Sequence, residues 1–344
     1  MGIRIEKNEW GKTGKGEQLY LFRLINLSGA YAEVTNYGAS IVSAVVPDKN
    51  GSLGNVVLGF PSAQGYLDDN CYLGATIGRY ANRISHAAFK LNGKKYDLEA
   101  NDGVNSNHGG RHGFNARVFG HEITGNKVAF TLLSKDGDAG FPGNLELKVI
   151  FEWTEDNQLV IDFDAVCDAD TPANFTNHAY FNLAAADQPV WDHCLSISAA
   201  VLAEAGTDYI PTGRIVPAGK LVFNKHLIKE KLENTDGNLI GVNSYYVLDD
   251  DLMRSDSFGA KLTDIQSGRT LTVATSYPGI FLYTGDYLNS KHLTSYGALC
   301  RPFGGLCLEC QHYPDSVNRP EFPQAVLSAG QSYHEHITYK FGIL

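Results

Sequence analysis

A single carboxylate in an apolar stretch is the strongest candidate for chemistry in this sequence. It is Glu309, in the run LECQHYPDSVNRPEFP (308–323). Side chains alternate along a strand, so Glu309 and Gln311 share one face while Leu308 and Cys310 take the other. An exposed face of an edge strand is the alternative interpretation. The turn at YPDS favours a binding site, because sites often lie where strands end in irregular loops.

A second alternating run offers an imidazole and a phenol. In TNHAYFNL (176–183), His178, Tyr180 and Asn182 share one predicted strand face. Natural solvent-facing strands more often carry Lys, Glu and Thr, so we favour a pocket over a solvated strand. Tyr180 and Gln311 are therefore candidate ligand-binding residues beside His178 and Glu309.

Two further segments supply histidines and arginines. NHGGRHGFNAR (107–117) places two glycines after His108, which would let the backbone approach a ligand closely. GRYANRI (78–84) contains Arg79 and Arg83, either of which could bind a ligand or pair with a carboxylate inside the fold. The residues alone do not decide which arginine is closer to a ligand.

Metal binding is not expected. The thiols of Cys307 and Cys310 would point to opposite faces of a strand, where they cannot chelate one ion. Nothing in the sequence fixes the geometry of a histidine cluster, although four histidines can be grouped: His108, His112, His178 and His193. The sequence also lacks a nucleophile elbow, a phosphate-binding loop and a dinucleotide fingerprint. What remains suits acid–base chemistry on a neutral, hydroxylated ligand without a cofactor.

Strands and turns must position these residues. The segments 145–153 and 159–165 alternate with a period of two around the turn TEDN, which predicts a hairpin. Asn92-Gly93 predicts a tight turn between two more strands in the region 89–98. Further strands are expected at 31–46, 127–133, 195–203, 270–275, 280–284 and 305–312, and the best helix candidate is 222–233. The expected architecture is one all-β domain spanning 1–344, with few short helices.

Composition excludes several classes of function. The chain has 344 residues and a net charge of −10, with no basic cluster that would bind nucleic acid. No run is long and apolar enough to cross a membrane. The polar start of the chain lacks a signal-peptide core, and we expect six reduced cysteines in a cytoplasmic protein.

The same segments resemble the aldose 1-epimerase (galactose mutarotase) family. GRYANRI, NHGG-x-x-GF, TNHAYFNL and LECQHYPDSVNRPEFP follow one another as that family's blocks do, and YIPTG (209–213) is similar to a further block. The resemblance covers nearly the whole chain, from residue 36 to residue 323. It implies a large antiparallel β-supersandwich with the active-site cleft in one β-face.

The resemblance also implies residue roles. Glu309 corresponds to the general base and His178 to the general acid, while His108, Asn82 and Arg83 correspond to sugar-binding residues. Asn82 and Arg83 are neighbours, so both can reach one ligand only if the backbone bends between them. The implied reaction opens and closes a pyranose ring by moving protons, with no cofactor and no metal. Unperturbed pKa values of about 4.3 for Glu and about 6.5 for His would let the two hold opposite protonation states.

Two departures from the family pattern concern the sugar. Where the family usually has Asp-His, this chain has Asn243 and Ser244, and where some members carry a polar side chain it has Phe281. Asn243 keeps an acceptor but loses the charge, which costs about 1 kcal/mol of binding. Phe281 would stack on a sugar face. Both residues are expected to contact the substrate and to alter the preferred sugar.

The leading hypothesis is therefore a mutarotase of free hexoses such as galactose or glucose, acting as a monomer or homodimer. The alternatives are a mutarotase of another reducing sugar, such as xylose or maltose, and a non-catalytic sugar-binding β-sandwich. Retention of both a Glu and a His argues against the last. A glycosidase would need a second carboxylate beside Glu309, and the sequence offers no convincing one.

Overall fold

Strands dominate the chain. The computed structural model of the protein describes residues 2–235, 238–249 and 258–344. The strands in these ranges are β1 (Arg4–Lys12), β2 (Gln18–Ile25), β3 (Tyr31–Thr35), β4 (Ser40–Pro47), β5 (Leu53–Asn55), β6 (Thr76–Ile77), β7 (Arg83–Ile84), β8 (Ala88–Leu91), β9 (Lys94–Asp97), β10 (Ser106–Asn107), β11 (Gly120–Thr124), β12 (Lys127–Ser134), β13 (Leu145–Trp153), β14 (Gln158–Cys167), β15 (Thr171–Pro172), β16 (Thr176–Asn177), β17 (Tyr180–Phe181), β18 (Cys194–Ile197), β19 (Val201–Ala205), β20 (Pro211–Pro217), β21 (His226–Leu227), β22 (Glu233–Thr235), β23 (Asn238–Ile240), β24 (Asn243–Val247), β25 (Ala260–Thr263), β26 (Arg269–Thr275), β27 (Gly279–Tyr283), β28 (Leu306–Gln311), β29 (Val326–Leu327) and β30 (Ser332–Ile343).

Three antiparallel sheets carry the architecture. The largest has nine strands in the order β11-β12-β13-β14-β30-β26-β25-β18-β21. A six-stranded sheet follows the order β17-β28-β27-β24-β19-β20, and a five-stranded sheet runs from β1 to β5 in sequence. The remaining pairs are two-stranded ribbons. This arrangement confirms the predicted all-β fold, a large antiparallel β-supersandwich.

The six-stranded sheet has two different faces, and this difference positions the site. Along β28, Leu306, Leu308 and Cys310 join the main hydrophobic core, which also contains Phe163 of β14 and Ile337 of β30. The alternate residues of β28 point to the other side of the sheet. One face of this sheet thus packs against the nine-stranded sheet, and the opposite face is left to form a site.

The strongest periodic signals were read correctly. The hairpin of β13 and β14 pairs Leu145 with Cys167 and Trp153 with Leu159 around the predicted turn. The smaller hairpin of β8 and β9 closes at Asn92, whose φ of 51° is the left-handed value that a tight turn requires. The strands expected at 127–133, 270–275, 280–284 and 305–312 are β12, β26, β27 and β28.

Two predicted strands are each divided in two. The segment 31–46 is the hairpin of β3 and β4, because the chain reverses at residues 36–39, where Gly38 has a φ of 66°. The segment 195–203 is also interrupted. Its first part, β18, belongs to the nine-stranded sheet and its second part, β19, to the six-stranded sheet, so the chain crosses between the two layers here.

The helix predicted at 222–233 is wrong. His226 and Leu227 form β21 and pair with Leu195 and Cys194 at the edge of the nine-stranded sheet, followed by a 3-10 turn at Ile228–Glu230. A weak helix propensity has been overridden by pairing with an available sheet edge. In the described residues the single α-helix is α1 (Ala63–Leu67). The 3-10 turns within the described ranges are Ser85–Ala87, Phe114–Ala116, Asp138–Gly140, Val190–Asp192, Gly219–Leu221, Ile228–Glu230 and Ser316–Asn318.

The six cysteines are not paired with one another. All six thiols are free, and four of them are buried. No helix in the described ranges has the length and apolar character needed to cross a bilayer.

Candidate active site

A deep cavity opens on the free face of the six-stranded sheet. Its volume is about 720 Å³. The sheet contributes side chains from four of its strands. Loops of the first half of the chain, the segment at His178, and the loops at 207–209 and 287–289 form the remaining walls. The lining residues are Asn70, Cys71, Tyr72, Asn82, Arg83, Asp102, Gly103, Val104, Asn105, Asn107, His108, His178, Tyr180, Thr207, Asp208, Tyr209, Asn243, Phe281, Tyr283, Tyr287, Asn289 and Glu309.

Glu309 lies at the buried end of this cavity. It is 2% exposed and sits in β28 opposite Phe281 of β27. Its Oε2 atom has no hydrogen-bond partner among the described residues. A buried carboxylate oxygen without a partner is costly for the fold, so its position calls for a functional explanation.

His178 stands next to Glu309. The two side chains bring Nε2 and Oε1 to 3.6 Å, and His178 is only 4% exposed. The other ring nitrogen, Nδ1, lies 3.4 Å from the Sγ atom of Cys307. His178 is not in a strand: its N–H donates to the carbonyl oxygen of Ala75 and its own carbonyl accepts the N–H of Gly74. The predicted continuous strand is therefore broken at this residue into β16 and β17.

Burial changes the protonation of the pair. It raises the pKa of Glu309 from 4.5 to about 8 and lowers the pKa of His178 from 6.5 to about 4. The cause in both groups is desolvation, which disfavours the charged form. The expectation of unperturbed pKa values was wrong. Between about pH 4 and pH 8, without a ligand, the carboxyl group of Glu309 is protonated and the imidazole of His178 is neutral.

His108 completes a group of three buried titratable side chains. Its ring Nδ1 atom accepts a hydrogen bond from the backbone N–H of Asn82 at 3.2 Å. The backbone N–H of His108 donates to the carbonyl oxygen of Asn82. Burial, with the nearby His178 and Arg83, lowers the pKa of His108 well below 6.5. The neutral ring therefore keeps its proton on Nε2, where it can be donated to a ligand hydroxyl.

The backbone does bend between the two neighbouring polar residues. Asn82 has a φ of 67°, and its Oδ1 accepts the N–H of Arg83. Both residues consequently line the cavity. The Nε atom of Arg83 donates to Asp102 at 2.7 Å, which fixes the guanidinium at the wall.

Arg79 is not part of the cavity. It is 2% exposed and donates to carbonyl oxygens of Ser134, Lys135, Pro142 and Gly143. Of the two arginines in GRYANRI, Arg83 is therefore the one positioned to contact a ligand.

Three more candidates line the same cavity. Asn243 and Phe281 lie in β24 and β27, and Asn243 is paired in the ladder with Tyr283. Tyr180 also contributes to the wall, while its hydroxyl donates to the carbonyl oxygen of Cys71 at 3.0 Å. Ser244, which follows Asn243, is not among the lining residues.

Gln311 and Asn182 are placed differently from their neighbours in the sequence patterns. Gln311 is fully buried, does not line the cavity, and neither atom of its amide has a partner in the described residues. Asn182 donates to the carbonyl oxygens of Ala186, Gln188 and Gly304, so it serves the fold.

The glycines after His108 have a structural role instead of the expected ligand contact. Neither Gly109 nor Gly110 lines the cavity. A Cβ on Gly109, whose φ is 82°, would lie 2.1 Å from the carbonyl oxygen of Gly78. The glycine is required because two backbone segments meet there.

Sequence reasoning missed most of the aromatic lining. Tyr283 is two residues beyond Phe281 and shares its strand face, so alternation alone could have identified it. Tyr72, Tyr209 and Tyr287 lie on loops, where no periodicity reveals the direction of a side chain. The contact of Cys307 with His178 was missed because it joins residues that are distant in sequence.

The same three side chains have donor atoms of the kind that metals bind. Ligand atoms of His108, His178 and Glu309 lie within 4.8 Å of one another. Tetrahedral zinc, with bonds of about 2.0–2.1 Å, would require closer spacing. The arrangement as it stands suits a ligand that fills the space between an acid and a base.

Comparison with known proteins gives one family. The family model described as aldose 1-epimerase matches residues 20–340. The chain is 37% identical to galactose mutarotase of Mus musculus over 314 residues, which cover 90% of this chain and 91% of that protein. It is 34% identical to aldose 1-epimerase of Haemophilus influenzae over 335 residues, covering 95% and 96%.

A solved structure supports the same grouping. The aldose epimerase homologue from C. elegans superposes with a TM-score of 0.87 at 29% sequence identity. The superposition covers 92% of this chain and 97% of that one. The likeness thus extends over nearly the whole β-supersandwich.

Proposed function

Since the chain belongs to the aldose 1-epimerase family and is an isomerase, we propose that it interconverts the α and β anomers of free hexoses such as galactose or glucose, with Glu309 and His178 as its acid–base pair. The observation that carries this proposal is the 3.6 Å approach of Glu309 Oε1 and His178 Nε2 at the buried end of the cavity. Two proton-transfer groups at that spacing can act on the two oxygens bound to one anomeric carbon.

The reaction follows from proton positions. Glu309, as carboxylate, takes the proton of O1, and His178, as imidazolium, gives its Nε2 proton to the ring oxygen O5. The bond between C1 and O5 breaks, its electron pair goes to O5, and C1 becomes an aldehyde carbon. After rotation about C1–C2 the ring closes on the other face of the aldehyde, and both protons return along the reverse route.

The shifted pKa values suit this cycle. Ring opening converts the pair from its charged form to its neutral form, which is the form that burial favours. A carboxylate with a raised pKa is a stronger base, and an imidazolium with a lowered pKa is a stronger acid. The same desolvation that makes the charged pair rare therefore makes it reactive.

Neighbouring groups would hold the sugar. Arg83 and the Nε2–H of His108 offer donors to neutral hydroxyls, and the buried ring of Phe281 offers an apolar surface to a sugar face. Asn82 and Asn243 add amide groups on two sides of the cavity. Asn243 stands where the family usually has a charged acceptor, so the preferred aldose can differ from that of its relatives. We therefore include xylose beside the hexoses as a candidate substrate. The six free thiols fit a reducing compartment, and we propose the cytoplasm.

Polarimetry tests the proposal. Freshly dissolved α-glucose and α-galactose should reach optical equilibrium faster with the protein than in buffer, and His178→Asn should abolish the difference. His334→Asn is a matched control, because His334 lies on the surface, 2.6 Å from Asp164 and outside the cavity. Relaxation at the buffer rate with every common aldose would refute the proposal, as would full activity in His178→Asn.

A further inference from the structure

The two ring nitrogens of His178 have different neighbours. Nε2 faces Glu309, and Nδ1 faces the thiol of Cys307. We propose that Cys307 is a positioning residue of the acid–base pair, whose thiol holds the imidazole of His178 by Nδ1 and so keeps the transferable proton on Nε2. This inference rests on the proposed function, because it says what prepares the proposed acid for its reaction.

Strand alternation places Cys307 beside the pair. Cys307 and Glu309 share the face of β28 that is turned away from the main hydrophobic core. In the ladders, Cys307 is opposite Tyr180 of β17 and Tyr283 of β27. It is fully buried and does not line the cavity. The thiol therefore touches His178 from within the protein and leaves the cavity side of the ring to the substrate.

The contact with Cys307 adds a second fixed point to His178. The first is the backbone, since the N–H of His178 donates to the carbonyl oxygen of Ala75 and its own carbonyl accepts the N–H of Gly74. The second is the ring, whose Nδ1 lies 3.4 Å from Sγ of Cys307. With both points fixed, Nε2 is directed at the space beside Glu309, where O5 of a sugar would lie.

The aromatic neighbours of the ring do not identify its nitrogens. They pack against its faces and edges, and a half-turn of an imidazole about its Cβ–Cγ bond exchanges nitrogen for carbon while keeping such packing. Which nitrogen carries the proton is set by the hydrogen bond that the other one makes. The titratable groups that face His178 are Glu309 and Cys307 of β28, Tyr180 of β17, Tyr283 of β27, and Tyr72 and His108 from the first half of the chain, while the charge of Arg83 acts on Glu309 and His108.

A thiol can serve the ring throughout the proposed reaction. In the imidazolium, Nδ1–H donates to Sγ while the proton on Nε2 goes to O5. After that transfer Nδ1 keeps its hydrogen and Sγ still accepts it, so the returning proton is received by Nε2. Sulfur is a weak acceptor. It therefore orients the imidazolium while stabilising it less than an oxygen would, which keeps His178 a strong acid.

The surroundings of Cys307 do not suit a nucleophile. Burial raises the pKa of its thiol well above the ordinary value, so the group stays protonated. The reactive cysteine of a Cys–His pair is instead an accessible thiolate with a lowered pKa. What Cys307 offers His178 is a neutral hydrogen-bonding partner.

The experiment compares Cys307→Ala and Cys307→Ser with the wild type. The pH dependence of kcat/KM on glucose is measured by polarimetry, and the ring nitrogens of His178 are titrated by 15N NMR, with His178→Asn to assign the signals. A hydrogen bond to the charged form raises the pKa of a histidine, and oxygen is a better acceptor than sulfur. The lower limb of the profile and the pKa of His178 should therefore rise in the order Ala, wild type, Ser.

The split between kcat and KM gives a further expectation. In Cys307→Ala, kcat should fall about tenfold, the rate equivalent of one net hydrogen bond, while KM changes little because Cys307 does not line the cavity. Cys307→Ser keeps a hydrogen-bonding partner and should keep most of the kcat.

Cys310→Ala is the matched control, because Cys310 is equally buried in β28 and faces the main core on the other side of the sheet. It removes the same thiol but should leave both limbs and the His178 signals in place, and thermal denaturation verifies that each variant is folded. If glucose is converted and the lower limb and the pKa of His178 are the same with Cys, Ala and Ser at position 307, the positioning role is refuted while the proposed function stands. Equal shifts in Cys310→Ala refute it as well, because they would reflect packing of the strand. If no aldose is converted, the proposed function itself fails, and the role of Cys307 fails with it.

Discussion

Two buried polar regions of this protein, one around Arg79 and the other around Glu309, are built in opposite ways. Arg79 is enclosed by protein acceptors: its Nη2 atom donates to Ser134, Lys135 and Gly143, and its Nε atom donates to the hydroxyl of Ser134. At the acid–base end of the cavity, Glu309 Oε2 has no partner among the described residues.

The Arg79 side chain is fully paired with protein groups, whereas the unpaired Glu309 oxygen lies at the cavity, where we propose that a ligand binds. Buried polar atoms are normally satisfied, because leaving one without a partner costs about 1–3 kcal/mol. Around Arg79 that cost has been avoided completely. Around Glu309 it is retained, and a bound sugar would remove it. GRYANRI shows both outcomes within five residues, with Arg79 in the first region and Arg83 beside the second.

The largest expected effect is the loss of activity in Glu309→Gln. Removing the base should lower kcat/KM about 10²–10⁴-fold, measured by polarimetry on glucose and galactose. The stability of the folded variant should instead increase relative to the wild type as the pH rises. The pKa of Glu309 rises from 4.5 to about 8 on folding, so the wild-type protein loses stability as the pH rises between these values.

The thermal test of Glu309→Gln is informative because Gln at position 309 is neutral at every pH. The variant should gain melting temperature over the wild type as the pH is raised from 5 to 8. A variant that is inactive and also less stable at pH 8 would mean that Glu309 supports the fold, and the contrast between the two regions would fail.

Arg79→Met should give the opposite result. The substitution leaves several carbonyl oxygens and the Ser134 hydroxyl without their donor, and each orphaned group costs about 1–3 kcal/mol, so we expect a loss of about 3 kcal/mol or more. Urea denaturation measures it. The kcat of the folded fraction should stay at the wild-type value, since Arg79 does not line the cavity.

Arg83→Met is the matched comparison for Arg79→Met. It removes a half-buried guanidinium whose partner, Asp102, is itself partly exposed, so its effect on stability should be small and its effect on KM large. Equal losses of stability in the two variants would erase the distinction between the arginines.

The pH profile tests the inner region without a mutation. Below about pH 4 both Glu309 and His178 are protonated and no base is available; above about pH 8 neither is protonated and no acid is available. A plot of kcat/KM against pH should therefore be bell-shaped, with limbs near these values that belong to the pair, and should fall about tenfold per pH unit outside them. An upper limb near 6.5 would show that His178 titrates as it does in water.

Much of the fold could be predicted because it depends on local alternation. The hairpin of β13 and β14 keeps one apolar face over nearly its whole length, and β28 shows the same alternation at Glu309. The segment 222–233 has no such pattern, and its structure is decided by the edge of the nine-stranded sheet, which the local sequence does not describe.

The candidate site could be predicted only in part, for the same reason. Residue type and spacing made Glu309 and His178 candidates, and the family resemblance supplied their proposed roles. Their shifted pKa values were not, because desolvation depends on how completely the fold encloses them. The contact between Tyr209 and Tyr287 could not be predicted either, because loops that are far apart in sequence bring the two side chains together.

The smallest expected effect concerns Asn243, which lies between the two extremes. It is half-buried, lines the cavity, and its side chain has no hydrogen bond to any described residue. Hydrogen bonds to a charged group contribute about 1.5–3 kcal/mol, against 0.5–1.5 for neutral ones, so Asn243→Asp should strengthen one sugar contact by about 1 kcal/mol. On galactose, kcat/KM should rise roughly five- to tenfold in polarimetry.

Asn50→Asp, in an exposed turn, is the control for added charge. Without sugar the new carboxylate has nothing to accept from, so the variant should be slightly less stable when empty and recover when galactose is added. No gain on galactose would mean that position 243 does not set the preferred sugar, and that its free amide has been left unpaired for another reason.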